Sequence, residues 1–254
     1  MTDLPDIHHR DPGTGRVDDP EAHAQAVRGM FARISGVYDL MNHLLSLNLD
    51  RRWRRRVASR LDPDTDLLLD LCAGTGDLGL ACLAAGRARR VAAVDFVPEM
   101  LAGIAGKRNA HAVGPVAGDG LSLPVRDLSV DAVVAGFGVR NLADPVAGVA
   151  EMKRVLRPGG QVLVLEFFRA DPSARGQDRG PAAPVRWLLS RAVPAVGSLV
   201  ARDHAAYSYL PGSMDRFLTT LRYQEVLREA GFVDVFVERM TFGIAHLVGG
   251  RLPR

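Results

Sequence analysis

The chain has no apolar run long enough to span a bilayer and no secretory-signal pattern, so the expectation is a cytoplasmic protein. It has two cysteines, Cys72 and Cys82. Neither they nor the seven histidines fall at metal-ligand spacing, which removes a metal centre from the candidates. Lysine occurs only at Lys107 and Lys153, and 32 basic residues against 29 acidic ones leave a net charge of only +3. No basic tract carries interleaved aromatics, so nothing reads as a nucleic-acid groove. There is no internal repeat. What remains is an ordinary soluble composition and, with 254 residues, enough chain for one large domain with its own core. Residues 1–22, polar and including His8-His9, read as a mobile tail, and residues 23–254 as one domain.

The most informative stretch is Leu67 to Gly79. Leu67 to Leu71 is a short apolar run bounded by turn formers, the pattern of a buried strand. It runs into Ala73-Gly74-Thr75-Gly76, small enough for backbone to approach a ligand. Asp77 then reads as the cap of a helix over 78–85. Strand, glycine turn and helix form the nucleotide-cradling unit of doubly wound folds. Gly74, Gly76 and Gly79 also satisfy G-x-G-x-x-G, with Asp95 about 20 residues on. On this evidence a nicotinamide dinucleotide and S-adenosylmethionine both remain open. Asp70 tilts the choice, because its charge would repel a pyrophosphate and attract an ammonium and a sulfonium.

Upstream, apolar residues from Ala24 to Leu47 recur at three- and four-residue steps, an amphipathic helix broken near Ser35-Gly36. Tyr38-Asp39-Leu40-Met41-Asn42 lies within it and reads as a packing helix or a cover over a pocket. In Asp50-Arg51-Arg52-Trp53-Arg54-Arg55-Arg56, helical spacing lines up Trp53, Val57 and Leu61 and leaves a solvated arginine face. Contact with anionic lipid stays open.

Downstream, strands are expected at Arg90 to Val94, Val113 to Ala117, Val130 to Ala135 and Gln161 to Glu166. They alternate with helices, including Pro145 to Leu156, and argue for a parallel sheet. Asp95 and Asp119 end strands where ribose hydroxyls and an adenine amino group would lie, and Arg140-Asn141 follows the fourth strand. Residues 169–184 form a polar loop, and Val185 to Val200 is apolar and helical in period, so about 169–212 reads as an inserted lid. Ser213 to Ala230 reads as a single helix stopped by Gly231. Val233 to Glu238 and Thr241 to Leu247 read as an antiparallel hairpin.

The glycine loop, Asp95, Asp119, Leu123-Pro124 and Leu156-Arg157-Pro158-Gly159-Gly160, in this order, resemble a class I S-adenosylmethionine-dependent methyltransferase. Tyr38-Asp39-x-Met41-Asn42, Phe137-Gly138-x-Arg140-Asn141, Leu165-Glu166-Phe167 and Tyr207-x-Tyr209-Leu210-x-x-Ser213 are similar to the quinone C-methyltransferases of menaquinone and ubiquinone synthesis. The resemblance implies a Rossmann-like α/β fold. Its seven-stranded sheet would have an antiparallel last strand, with amino-terminal helices and the helical lid around it. It implies S-adenosylmethionine on Asp70, Gly74, Thr75, Gly76, Asp95, Phe96, Met100, Asp119, Gly120 and Gly136. It implies a prenylated quinol, with demethylmenaquinol foremost, on Tyr38, Asn42, Phe137, Arg140 and Asn141. Gly136 stands where some members carry Ser, and Asp50 where the family often has His.

Methylating a quinol ring carbon needs a phenolate-like oxygen. Arginine is never deprotonated in proteins, so Arg140 reads as the phenolate's partner and Asn141 as a hydrogen-bond donor. Tyr207 joins them as a catalytic candidate, with Tyr38, His43 and His204 as further proton carriers. Another small phenolic acceptor, or a non-catalytic cofactor-binding scaffold, stays open. So do a homodimer and a peripheral contact with the inner face of the cell membrane.

Overall fold

A computed structural model describes residues 10–183, 187, 209 and 212–254. Seven strands form one sheet: β1 (Thr65–Leu71), β2 (Ala88–Asp95), β3 (Val113–Ala117), β4 (Val130–Gly136), β5 (Leu156–Glu166), β6 (Val233–Met240) and β7 (Ala245–Arg251). Their order is β3-β2-β1-β4-β5-β7-β6, and β7 runs antiparallel to both its neighbours. The remaining pairings, β1 with β2 and β4, β2 with β3 and β4 with β5, are parallel. The order reverses at β1 and β4, so a crevice opens beyond their carboxyl ends.

Alternation along each central strand feeds two cores. Leu69, Leu71, Val133 and Val164 face α5 (Pro145–Val155) and α6 (Thr220–Glu229), meeting Val149, Met152 and Tyr223. Leu68, Val134 and Leu163 face α3 (Leu49–Arg60) and α4 (Asp77–Ala84), meeting Trp53, Val57 and Leu78. With both faces covered, these strands carry near-continuous apolar runs.

At the amino end, α1 (Pro20–Ile34) and α2 (Tyr38–Leu45) are separated by a 3₁₀ turn at Ser35–Val37, where the sequence expects a break. Asp19 caps α1 by accepting from the Ala22 amide at 3.0 Å, and Pro20 starts it. Within residues 10–19, expected in a mobile tail, Arg10 and Val17 are anchored by burial. Arg10 and Val17 form an isolated bridge, and Val17 is 2% exposed.

Three further expectations are corrected. Gly76, in left-handed conformation at φ 76°, is the N-cap of α4, and Asp77 is its first residue. Arg157 to Gly160 is a bulge inside β5, because Leu156 already pairs with Val130 before the register slips. The helix expected from Ser213 is interrupted after 212–216. Phe217 and Leu218 are both driven into the core, and Thr219 recaps the chain through the Arg222 amide at 3.2 Å. The 169–183 loop is pinned to the sheet edge: the Gln177 side chain accepts from the Arg239 amide at 2.9 Å, and Gln224 donates to Asp178 at 2.7 Å. Apart from Trp187, the segment Val185 to Val200 lies outside the described residues, as do His204 and Tyr207.

Candidate active site

A cavity of about 500 Å³ opens beyond β1 and β4, within the usual range for small-molecule sites. Ten of the expected site residues line it: Tyr38, Gly74, Asp95, Phe96, Met100, Asp119, Gly120, Gly136, Phe137 and Asn141. Pro20, Glu21, Ala24, Gln25 and Val27 of α1 line it, and Arg28 lies 5.6 Å over the Phe96 ring.

One wall is built from backbone. Gly74 takes φ 55°, and an added Cβ would stand 3.3 Å from Met100 Cε. The Asp95 carboxylate accepts from the Gly74 amide at 2.7 Å and the Val97 amide at 2.8 Å, which aims it into the cavity. Burial raises its pKa, against those amides. Asp119 accepts from the Leu121 amide at 2.9 Å. A loop open to close approach, followed by two positioned carboxylates, fits a ligand with ribose hydroxyls and an adenine.

Four expected cofactor or substrate residues do not line this wall. Asp70 points under the loop, 1% exposed, and accepts from the Gly79 amide at 2.8 Å. Burial pushes its pKa up to about 7, and the carboxylate faces the Gly79 amide rather than the cavity. Thr75 donates to Asp39, and Gly76 packs against Ile104. Asn42 lies behind Tyr38, hydrogen-bonded to it.

A charge network ties the amino-terminal helices to the loop. Lys107 Nζ donates to Asp39 at 2.6 Å, to the Thr75 carbonyl at 3.0 Å and to Asp77 at 2.7 Å. Arg54 pairs with Asp50 and lies 3.2 Å from Asp77. His43 Nδ1 meets Asp50 at 2.8 Å, and His43 is not among the residues lining the cavity.

The opposite wall depends on side chains. Phe137 adopts φ 61°, unusual for a non-glycine residue, and stacks on Phe167 at 4.5 Å. Gly138 follows because a Cβ there would collide with Cys72. Asn141 faces the cavity, and its Oδ1 accepts from the Tyr209 hydroxyl at 3.1 Å. Arg140 does not line the cavity. Its Nη1 pairs with Glu166 Oε1 at 2.7 Å and also donates to the Phe137 carbonyl, while Nε donates to Ser213 at 3.2 Å. Arg140 is 5% exposed and Glu166 fully buried. A buried arginine needs a counter-ion, and this one is spent inside the wall.

Glu166, Tyr209, Lys107 and Asp39 were therefore missing from the expected site. Glu166 carries a readable signal, a carboxylate closing an apolar strand, which demands a buried cation. Asp39 and Tyr209 stand within the motifs that carry the resemblance but were given no role there, and Lys107 carries no local signal.

A model of the ubiE/COQ5 methyltransferase family matches residues 20–250. The chain is 39% identical over 234 residues to a demethylmenaquinone methyltransferase of Deinococcus radiodurans, covering 91% of this chain and 94% of that one. It is 34% identical over 238 residues to the ubiquinone/menaquinone biosynthesis C-methyltransferase UbiE of Paracoccus denitrificans, covering 89% and 90%. Among solved structures, the [4+2]-cyclase SpnF aligns with TM-score 0.64 at 18% identity, covering 91% of this chain and 97% of that one. A possible histamine N-methyltransferase of Thermotoga maritima aligns at 0.60 and 17%, covering 88% and 98%. The structural likenesses carry the fold alone. The family match and its relatives carry the assignment: the chain belongs to the ubiE/COQ5 methyltransferase family.

Proposed function

We propose that the protein transfers a methyl group from S-adenosylmethionine to a ring carbon of a prenylated quinol, with demethylmenaquinol as acceptor. The observation that carries this reading is that Asn141, its amide oxygen engaged by Tyr209, lines the same cavity as Gly74 and Asp95. With Oδ1 taken, the Asn141 Nδ2 donors are left for an oxygen on an acceptor ring.

Asp95 would take the ribose hydroxyls, Asp119 the adenine, and the Gly74 turn the remainder of the cofactor. When bound, the cofactor supplies an electrophilic methyl on a cationic sulfur. The chain's own task is positioning. Phe137 and Tyr38 flank the acceptor ring, and Asn141 donates to its oxygen as negative charge develops there. Arg140 acts at one remove, by holding the Phe137 carbonyl and Glu166 and so fixing the turn that carries Asn141.

Labelled S-adenosylmethionine offered with a demethylated naphthoquinol and with benzoquinol analogues, under reducing conditions, tests the reading. Transfer to the naphthoquinol is expected. Bound cofactor without transfer to either class sinks it.

The substrate's apolar tail also favours a membrane contact. Leu40, Leu44 and Leu47 are 61%, 44% and 80% exposed in a row along and just beyond α2, next to the exposed Arg51, Arg52 and Arg55 of α3. Leu40→Asp with Leu47→Asp should reduce co-sedimentation with anionic vesicles about tenfold while leaving transfer to a short-tailed acceptor unchanged. Equal sedimentation of both proteins discards this surface.

A further inference from the structure

The segment ahead of α1 reaches back across the molecule to the turn that carries Asn141. Arg10 is 8% exposed. Its Nη2 donates to the Arg140 carbonyl at 2.9 Å, and its Nη1 to the Leu142 carbonyl at 3.0 Å. His23 Nε2, from α1, lies 3.0 Å from the Asn141 carbonyl, and the Val17 amide donates to the Ala143 carbonyl at 2.9 Å. Four consecutive carbonyls, 140 to 143, thus each face a polar group of residues 10–23. Such carbonyls at the end of a 3₁₀ turn have no partner inside the turn. Arg10 Nη1 also donates to the Gly15 carbonyl, closing its own loop.

The turn needs an outside hold. It enters through Phe137 in the left-handed region, a strained conformation that persists only where surrounding contacts over-determine it. Arg140 and Glu166 hold it from the core side, and the amino-terminal strap from the other. A guanidinium suits this job because its planar fork reaches two carbonyls at once, which an ammonium does less well. Residues 10–19 precede the family match, which begins at residue 20.

We infer that Arg10 is a positioning residue for methyl transfer: it clamps the 140–142 backbone so that Asn141 keeps its aim into the acceptor side of the cavity. This rests on the reading of Asn141 as the group that meets the acceptor oxygen. Arg10 touches neither the glycine loop nor Asp95, so its loss should spare the cofactor.

The test compares the full-length protein with Arg10→Ala, Arg10→Lys and Arg222→Ala. Arg222 meets the strap only at its tip, through the Gly13 carbonyl at 2.7 Å, and otherwise pairs with Glu225 and Glu229 of its own helix. Amide hydrogen exchange at residues 139–143 is followed alongside the affinity for S-adenosylhomocysteine and the kcat and KM for the quinol. In Arg10→Ala, exchange at Asn141 and Leu142 should quicken about tenfold, the effect of one lost hydrogen-bonding group. The quinol kcat should fall by a similar factor with cofactor affinity within about twofold, Arg10→Lys recovering part of the loss and Arg222→Ala none affected. The inference is overturned by unchanged exchange at 139–143 in Arg10→Ala, by cofactor affinity falling in step with kcat, or by Arg222→Ala matching Arg10→Ala. If the unaltered protein methylates no quinol, the proposed function falls, and the exchange result alone decides the clamp.

Discussion

The glycine-loop wall of the cavity and the Asn141 wall are made in different ways. The first draws on contiguous stretches at strand ends and works through backbone amides, with Asp95 fixed by Gly74 and Val97. The second is assembled from residues 10, 23, 140, 166, 209 and 213, and each contact is a side chain meeting a distant partner. A backbone-built wall is specified wherever the strand-turn-helix forms. A side-chain-built wall exists only once the whole chain has folded, so it can be retuned without disturbing the other.

The sharpest way to break that contrast is at Glu166. Glu166→Ala leaves the Arg140 guanidinium buried without its counter-ion, and should cost about 3–5 kcal/mol in unfolding free energy, measured by urea titration. A loss under about 1 kcal/mol would mean that the Asn141 wall does not depend on this pair.

The next effect lies under the other wall. The pKa of Asp70 is about 7 in the fold, and near 3.8 when unfolded. The folded state therefore favours the protonated acid. That stability is full below pH 4 and disappears as pH rises towards 7, to a total on the order of 4 kcal/mol. Asp70→Asn should remove this decline, so the gap in melting temperature between variant and parent should widen from pH 4 to pH 8. A constant gap would show that Asp70 is ionised throughout.

Asp95→Ala sharpens the comparison from the ligand side. Removing a carboxylate that meets a ligand's hydroxyls should weaken S-adenosylhomocysteine by about 10- to 100-fold in calorimetry, while the Asn141 wall keeps its exchange protection. Smallest is Tyr209→Phe, which releases the Asn141 amide. About a tenfold fall in kcat/KM for the quinol is expected with cofactor affinity unchanged. Parallel losses in both would erase the distinction between the walls.

Much of this was legible in the chain. Leu67 to Leu71, the glycine turn and Asp95 lie close in sequence, and their spacing alone fixes a strand, a tight turn and a carboxylate at the next strand's tip. The break at Ser35 and the face carrying Trp53 and Val57 follow from helical period. Asp70 was read as a ligand contact because sequence shows that it precedes the loop but not which face of β1 it takes. It takes the face under α4, where Gly79 must come close. Arg140 was read as facing the acceptor because Glu166 asks for a cation without saying which, and only the pairing of β5 beside β4 brings Arg140 to it. Phe217 and Leu218 interrupt a helix that period alone would continue, because both find the core.

The sequence by itself determined the strand order's raw material, the glycine turn, the two cavity-lining carboxylates Asp95 and Asp119, and the family. These depend on local spacing, and local spacing survives in one dimension. Only the tertiary structure decided which charges are spent within the walls, which side chain aims Asn141, and that Arg10 comes back to hold the 140–142 carbonyls. Those outcomes turn on burial, and burial is a property of what packs against a residue from elsewhere in the chain.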